Sequence, residues 1–515
     1  MKKKRGFRFQ VSGRSKASTS ETCKRSALKP ETSLLPLLVP NPSNLAPISY
    51  TLAIPPPHEK TMLDKHGLLT QPISDVLRKL TTPMVFGMVA ILLFNLVDTF
   101  FISLLGTDAL AAVSFTFPVT FAVNCITMGI GVGLSASIGH LLGEGHSKHA
   151  AELTTHGLIL AISLILIACV LGFFTIDPLF TLLGAEDKLL PLIDEYMSIW
   201  YLTIPLLVIP MSSNSAIRAT GDTKTPAKIM MLAGLINGIL DPLLIFGYGP
   251  FPELGIQGAA IASAISWFGA LIASFYVLTH KVKLLALPNK NTLISDWKQI
   301  LTIGSPAALS NALNPISGAI LMMMLASQGT VAVASYGAAQ RVESLMLLVI
   351  MALTSSLSPL VAQNLGAKQP ERVKEAIFLA IKFSVAFQLF LYILIVPLSI
   401  PISHLFSQDD AVQHGLWMYL ICVPFSYGFQ GIVMVLVSSL NAMKKPLYSF
   451  SWSFMRLFVF TLPTAWVGSQ IYGMEGLFIG IAMGNVMGGI SAFWYARTRI
   501  RFEDAALKER GDAKS

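Results

Sequence analysis

Three acidic residues stand inside long apolar runs of this 515-residue chain: Asp98, Asp241 and Glu343. Asp98 sits in Asn95-Leu96-Val97-Asp98-Thr99, and Asp241 in Asn237-Gly238-Ile239-Leu240-Asp241-Pro242. A carboxylate in an apolar medium is costly unless it faces water or a partner, so each needs a reason. Two neighbouring carboxyls in low dielectric do not both ionise readily, which makes a proton-loadable pair. The same oxygens, joined by Asn237 one helical turn before Asp241, can instead hold a small cation. Pro242 has no N–H to donate, so the helix there should bend and leave carbonyls free. The structural alternative is that Asp98 bonds Thr99 or an adjacent helix.

Glu343 lies in Ala339-Gln340-Arg341-Val342-Glu343-Ser344. Arg341 is two residues away and points to another face. Arg456 is a further cation in an apolar run. The three form a possible polar set, either a Glu343–Arg456 or Glu343–Arg341 ion pair or a contact for substrate. No HExxH, GxSxG or clustered His and Cys occurs, so no catalytic residue, metal site or cofactor is expected, and an intramembrane enzyme is disfavoured. Cys23, Cys125, Cys169 and Cys422 form no CxxC pair and read as small hydrophobes.

The elements that carry these residues follow from composition. The chain is 53% hydrophobic and 13% charged, against about 25% charged in a soluble domain, and its mean hydropathy is +0.64. This is an all-α integral membrane protein. Its net charge of +9 is concentrated at one end: residues 1–61 hold eleven Lys/Arg against three Asp/Glu. No basic stripe remains to track phosphates, so no nucleic acid is expected as a partner. Residues 1–70 read as a basic, Pro-rich, disordered cytoplasmic tail. Met62 offers an alternative start, in which case the stretch before it is not translated.

Apolar runs follow near 78–104, 110–142, 153–175, 188–216, 226–247 and 257–280, and then near 299–327, 332–365, 375–404, 411–441, 446–469 and 475–496. Each is long enough to cross about 30 Å of hydrocarbon. Twelve transmembrane helices therefore form two six-helix lobes, 78–280 and 299–497, joined by a charged loop 281–298 and followed by a tail 498–515. Lys and Arg gather on one set of loops (Lys148, Arg218, Lys224, Lys368, Arg372, Lys444, Lys445), acids on the other. Both termini should therefore face the cytoplasm. On this frame Asp98 and Asp241 each lie about 9 Å below the outer surface, with Tyr196 of the fourth span at a similar depth.

The halves repeat. At an offset of 223 residues Pro83 matches Pro306, Gly106-Thr107 matches Gly329-Thr330, Leu134-Ser135 matches Leu357-Ser358, and Leu142-Gly143 matches Leu365-Gly366. Six spans per half make the repeats parallel, related by an axis along the membrane normal, the architecture of a rocking transporter; a duplicated scaffold is the plainer reading. Asp98 corresponds to Leu321, which confines ion chemistry to the first half. The 21 Met and 30 Phe suit a deformable apolar cavity, although most will simply pack helices or face lipid.

Several segments taken in order resemble the multidrug and toxic compound extrusion (MATE) transporters over residues 78–497. These are Val97-Asp98-Thr99, Arg218-Ala219-Thr220-Gly221-Asp222-Thr223-Lys224-Thr225-Pro226, Asn237-x-x-x-Asp241-Pro242 and Gln363-Asn364-Leu365-Gly366-Ala367. The resemblance implies two V-shaped lobes that alternate between outward- and inward-facing states. It implies a monomeric antiporter in a bacterial cytoplasmic membrane, surrounded by lipid, that exports organic and often cationic compounds in exchange for H⁺ or Na⁺. The DinF-like branch fits better than the NorM-like one, whose second-lobe acids on the seventh and tenth helices are missing here. By motif and spacing the resemblance carries an ion-coupling role onto Asp98, Asp241, Asn237, Asn214 and Tyr196. It transfers nothing to the sixth helix, where Ala259, Ala260 and Ser263 stand. A lipid-linked oligosaccharide flippase is the alternative within the same superfamily, though few buried Lys or Arg are present to hold its pyrophosphate. A channel would fit a ring of equivalent subunits better than one asymmetric acid site.

Overall fold

The computed structural model describes residues 66–512, with backbone alone beyond residue 500. Most of the expected tail, and Met62 with it, lies outside the described residues. Among the described residues the fold is helical throughout. The first lobe comprises α1 (Ile73–Ser103), α2 (Thr107–Gly143), α3 (Ser147–Phe173), the short α4 (Ile176–Leu182), α5 (Leu190–Thr203), α6 (Pro205–Ala219), α7 (Lys224–Ile245) and α8 (Gly255–Tyr276). The second comprises α9 (Lys290–Ala326), α10 (Thr330–Gly366), α11 (Pro370–Phe406), α12 (Asp410–Cys422), α13 (Tyr427–Ala442), α14 (Pro446–Phe454) and α15 (Leu462–Asp512).

Among the described residues ten helical runs are long and apolar enough to span a membrane, and α5 with α6 makes an eleventh, bent by 46°. The bend falls at Ile204, because Pro205 cannot donate its backbone N–H and the chain re-enters the helix with proline in its first turn. The longest run, Pro446–Ile500, holds two spans. Tyr472 and Gly473 break it, with Gly473 at φ 60°, a conformation glycine adopts without cost. The twelve expected spans are thus accounted for. Below this turn, Gly476, Gly480 and Gly484 meet the backbone of Gly468, Thr464 and Thr461 at distances no Cβ would tolerate. A four-residue glycine stripe draws the two spans together, as in small-xxx-small membrane packing.

Three boundaries differ from expectation. The first helix starts at Ile73, and Leu68 before it is only 1% exposed. Asn364 and Arg372 bind the Leu68 carbonyl, at 3.0 and 3.1 Å. Leu68, Ile73, Val76 and Leu77 join an apolar cluster with Leu357, Leu360, Val433 and Leu436 of the second lobe, so the entry to α1 is packed rather than a tail. The inter-lobe loop is half helix, since α9 begins at Lys290. The final helix runs past 497 to Asp512.

That loop is also fastened. Asp296, 2% exposed, accepts from His156 Nδ1 at 2.7 Å and contacts His149 Nε2 at 3.2 Å. The Asn289 amide donates to His156 Nε2 at 3.0 Å. His156 therefore carries its proton on Nδ1 and ties the loop to α3.

The two lobes meet at the basic end, where residue 73 enters. Gly129 and Gly133 of α2 press against the Gly304 and Ile300 carbonyls of α9, Gly143 against the Gln363 carbonyl, and Gly366 against the His140 carbonyl. Across the same boundary His140 Nε2 donates to the Ala442 carbonyl at 3.0 Å, and Gln363 Nε2 to the Ala219 carbonyl at 2.6 Å. These contacts clasp the lobes together at that end.

Candidate functional site

Helices α1 and α7 run parallel and level in depth. Cβ atoms placed on Gly87, Gly234 and Gly238 would meet Ala227, Phe94 and Val97 respectively, at a near-constant offset along the chain. Glycine on the α7 face lets the helices approach, and the same register brings Asp98 level with Asp241. The two carboxyls are electrostatic neighbours of each other and of Tyr196 on α5. Asn237 and Asp241 are each 0% exposed, while Asp98 and Tyr196 are half-buried.

Asn237 lies beside the Asp241 carboxyl, yet its Nδ2 donates elsewhere, to Ser263 Oγ on α8 at 3.1 Å. This fixes the amide with its oxygen free. Asp98 Oδ1, Asn237 Oδ1 and both oxygens of Asp241 are buried and accept no hydrogen bond among the described residues. Four acceptors without a donor are expensive in an apolar interior. What would satisfy them is a positive species, a proton on a carboxyl or a small cation among the oxygens. α7 continues through Pro242 to Ile245, with the Phe246 amide bonded to the Pro242 carbonyl at 3.3 Å, so the proline opens no broad gap here.

The structure thus gathers Asp98, Tyr196, Asn237 and Asp241, and adds Ser263, which the sequence left unassigned. It does not gather Asn214. That residue is buried on α6, eighteen positions beyond Tyr196 along the same bent span, about 27 Å at the helical rise. It stands near Arg218 at the basic end, and no hydrogen bond among the described residues links it to the pocket. Its Oδ1, like those of the pocket, is buried and accepts no hydrogen bond among the described residues.

The second lobe holds a different cluster. Glu343 accepts from Tyr419 OH at 2.8 Å, and Tyr419 OH lies 3.2 Å from Tyr427 OH. Tyr427 and Gln430 also face the carboxyl. Neither expected ion pair forms among the described residues. Arg341 is exposed on another face of α10, as its two-residue spacing requires. Arg456 is an electrostatic neighbour of Glu343, but its guanidinium donates to Asn314 Oδ1 at 2.9 Å. The carboxyl is held by phenol and amide donors on α12 and α13 that no local spacing around Glu343 reveals.

The chain is similar to several known membrane transporters. A family model described as MatE matches residues 83–243 and again 306–467. An FAD transporter of Shewanella oneidensis is 46% identical over 438 residues, 85% of this chain and 97% of that protein. The multidrug export protein MepA of Staphylococcus aureus is 28% identical over 459 residues, again 85% and 97%. Among solved structures, the Vibrio cholerae MATE transporter VcmN in its bent form superposes with a TM-score of 0.80 at 32% identity, covering 84% of this chain and 98% of that one. A MATE family transporter in an outward-facing conformation gives a TM-score of 0.80 at 25% identity, covering 87% and 99%. The double match of the family model repeats the two-lobe duplication, and with it this chain belongs to the MatE family of multi-pass membrane transporters.

Proposed function

We propose that this transporter is an ion-coupled exporter in which Asp98 and Asp241, with Asn237, Tyr196 and Ser263, take up H⁺ or Na⁺ and release it on the opposite side of the membrane. The carrying observation is the group of four unpartnered, buried oxygens on Asp98, Asn237 and Asp241. An apolar interior tolerates them only when a positive species visits. Coupling needs only that ion and substrate prefer different states of the two lobes. With the basic loops cytoplasmic, the clasp at Gly143 and Gly366 is the inner gate. The cleft then opens outward, and the ion reaches the pocket from outside. Loading the pocket weakens the hold on substrate, which leaves; the loaded lobe closes outward, opens inward and discharges the ion.

The substrate reading divides between two classes. Organic cations and drugs follow from relatives such as MepA. A flavin dinucleotide follows from the Shewanella FAD transporter, and its 46% identity against 28% favours that second class. Purified protein in sodium-free liposomes under an imposed pH gradient tests both parts. Accumulation of FAD or of ethidium against its gradient supports proton coupling and assigns the class. Accumulation that requires a sodium gradient assigns Na⁺ instead. No accumulation of either solute under either gradient rejects the proposal.

A further inference from the structure

We infer that Arg456, carried on Asn314, forms an anion-recognition subsite on the second-lobe wall of the cleft, which takes a phosphate group of a phosphorylated organic substrate. The inference rests on the exporter reading above and supplies its substrate class.

Arg456 lies ten residues from the start of α14, about 15 Å from the basic end. Asn314 stands twelve residues from the end of α9, about 18 Å from the acidic end. Both thus lie near the midplane of a core about 30 Å thick. Asn314 is exposed and Arg456 is half-buried. A guanidinium at that depth faces a water-filled cleft rather than acyl chains.

Arg456 feels the charge of Glu343 but forms no ion pair with it among the described residues, because Tyr419, Tyr427 and Gln430 hold that carboxyl. Asn314 accepts one guanidinium N–H, which orients the side chain and leaves donors of its planar fork for a ligand. Gly488 lies against the Arg456 stem, 3.4 Å from its Cγ to the place a Cβ would take, so the side chain is built into the lobe rather than trailing. Gln340, exposed one turn along α10 from Tyr336, adds an amide close to Gly318 of α9.

The polarity is therefore divided between the walls. The first lobe offers carboxyls for a positive ion, and the second offers the Arg456 guanidinium. Bidentate N–H pairs match phosphate oxygens, and such a group repels the organic cations that an acidic cleft would attract. A solute that carries phosphate on a broad aromatic body fits both the arginine and the surrounding apolar residues.

Equilibrium binding of FMN and of riboflavin to the full-length protein in phosphatidylcholine nanodiscs tests this, since the two differ by a single phosphate. Flavin fluorescence is the readout, and no gradient is imposed, so a failure of ion coupling cannot mimic a failure of this site. FMN should bind at least about tenfold more tightly than riboflavin. Arg456→Gln should bring that ratio near one, while Arg456→Lys keeps part of it. Asn314→Asp, which sets a carboxylate against the guanidinium without removing it, should also collapse the ratio and guards against a folding defect in the arginine variants. Equal binding of FMN and riboflavin by the wild type, no FMN binding at all, or a ratio unmoved by both Arg456→Gln and Asn314→Asp would overturn the inference. Displacement of FMN by added phosphatidylglycerol would also overturn it, assigning the arginine to lipid phosphate.

Discussion

His140 and Gln363 occupy equivalent positions in the two halves, and each closes a hydrogen bond into the other lobe, His140 Nε2 to the Ala442 carbonyl and Gln363 Nε2 to the Ala219 carbonyl. Donors and acceptors are related by the same 223-residue offset that relates the repeats. Beside them, a Cβ on Gly143 would fall on the Gln363 carbonyl, and one on Gly366 on the His140 carbonyl. The duplication thus builds a clasp of matched halves that joins the lobes twice over at the basic end.

A gate of touching backbones opens when a side chain is wedged into it. Gly143→Val with Gly366→Val should disfavour the clasped state by about 1–3 kcal/mol per site, the usual cost of overpacking. Spin labels placed across the basic end should then move apart, read by double electron–electron resonance. Distances identical to those of the wild type would contradict the clasp as a gate.

Ser263 Oγ accepts from Asn237 Nδ2 and so holds the amide beside the Asp241 carboxyl. Ser263→Ala removes that anchor without touching an acid. The coupling ion should be needed at several-fold higher concentration for half-maximal transport, with maximal rate nearly kept. The lost hydrogen bond is worth about 1 kcal/mol. An unchanged half-saturating concentration would remove Ser263 from the site.

Outside the spans, Asp222 bridges the turn between α6 and α7. Burial works against its ionisation, but Lys281 Nζ at 2.8 Å, with the Thr225 hydroxyl and amide at 2.6 and 3.0 Å, outweighs this and holds the carboxyl below its ordinary range. A depressed carboxylate stabilises the fold above the unfolded pKa of about 3.9, and that contribution is lost as pH falls through the lower folded value. Asp222→Asn should therefore lower the unfolding temperature in detergent at pH 7 and at pH 5, and the gap to wild type should narrow below about pH 4. A gap that widens on acidification would contradict the sign of the shift.

Much of this was legible in the residues. Apolar run length gave the twelve spans, since a bilayer fixes what length means. The 223 offset announced the two lobes, and depth counting brought Asp98, Asp241 and Tyr196 to one level. What stayed hidden depends on which faces of distant helices turn toward each other. Asn214 shares a span with Tyr196 but not a depth. Glu343 found Tyr419 and Tyr427 rather than either arginine, because donors arriving from other helices leave no mark in the local sequence. The His140–Gln363 pair was visible in principle: both are polar residues at one repeat position, each three places before a repeated glycine.

On the proposed mechanism the buried carboxyls of the first lobe carry the coupling ion. Transport of FAD and ethidium by Asp98→Asn and Asp241→Asn, in liposomes under an imposed gradient of the coupling ion, tests it most directly. Either variant should lose accumulation against a gradient by at least about a hundredfold, equivalent to roughly 2.7 kcal/mol of coupling free energy, while still folding and binding solute. If Asp98→Asn and Asp241→Asn both accumulate solute at the wild-type rate, these carboxyls are not the coupling site.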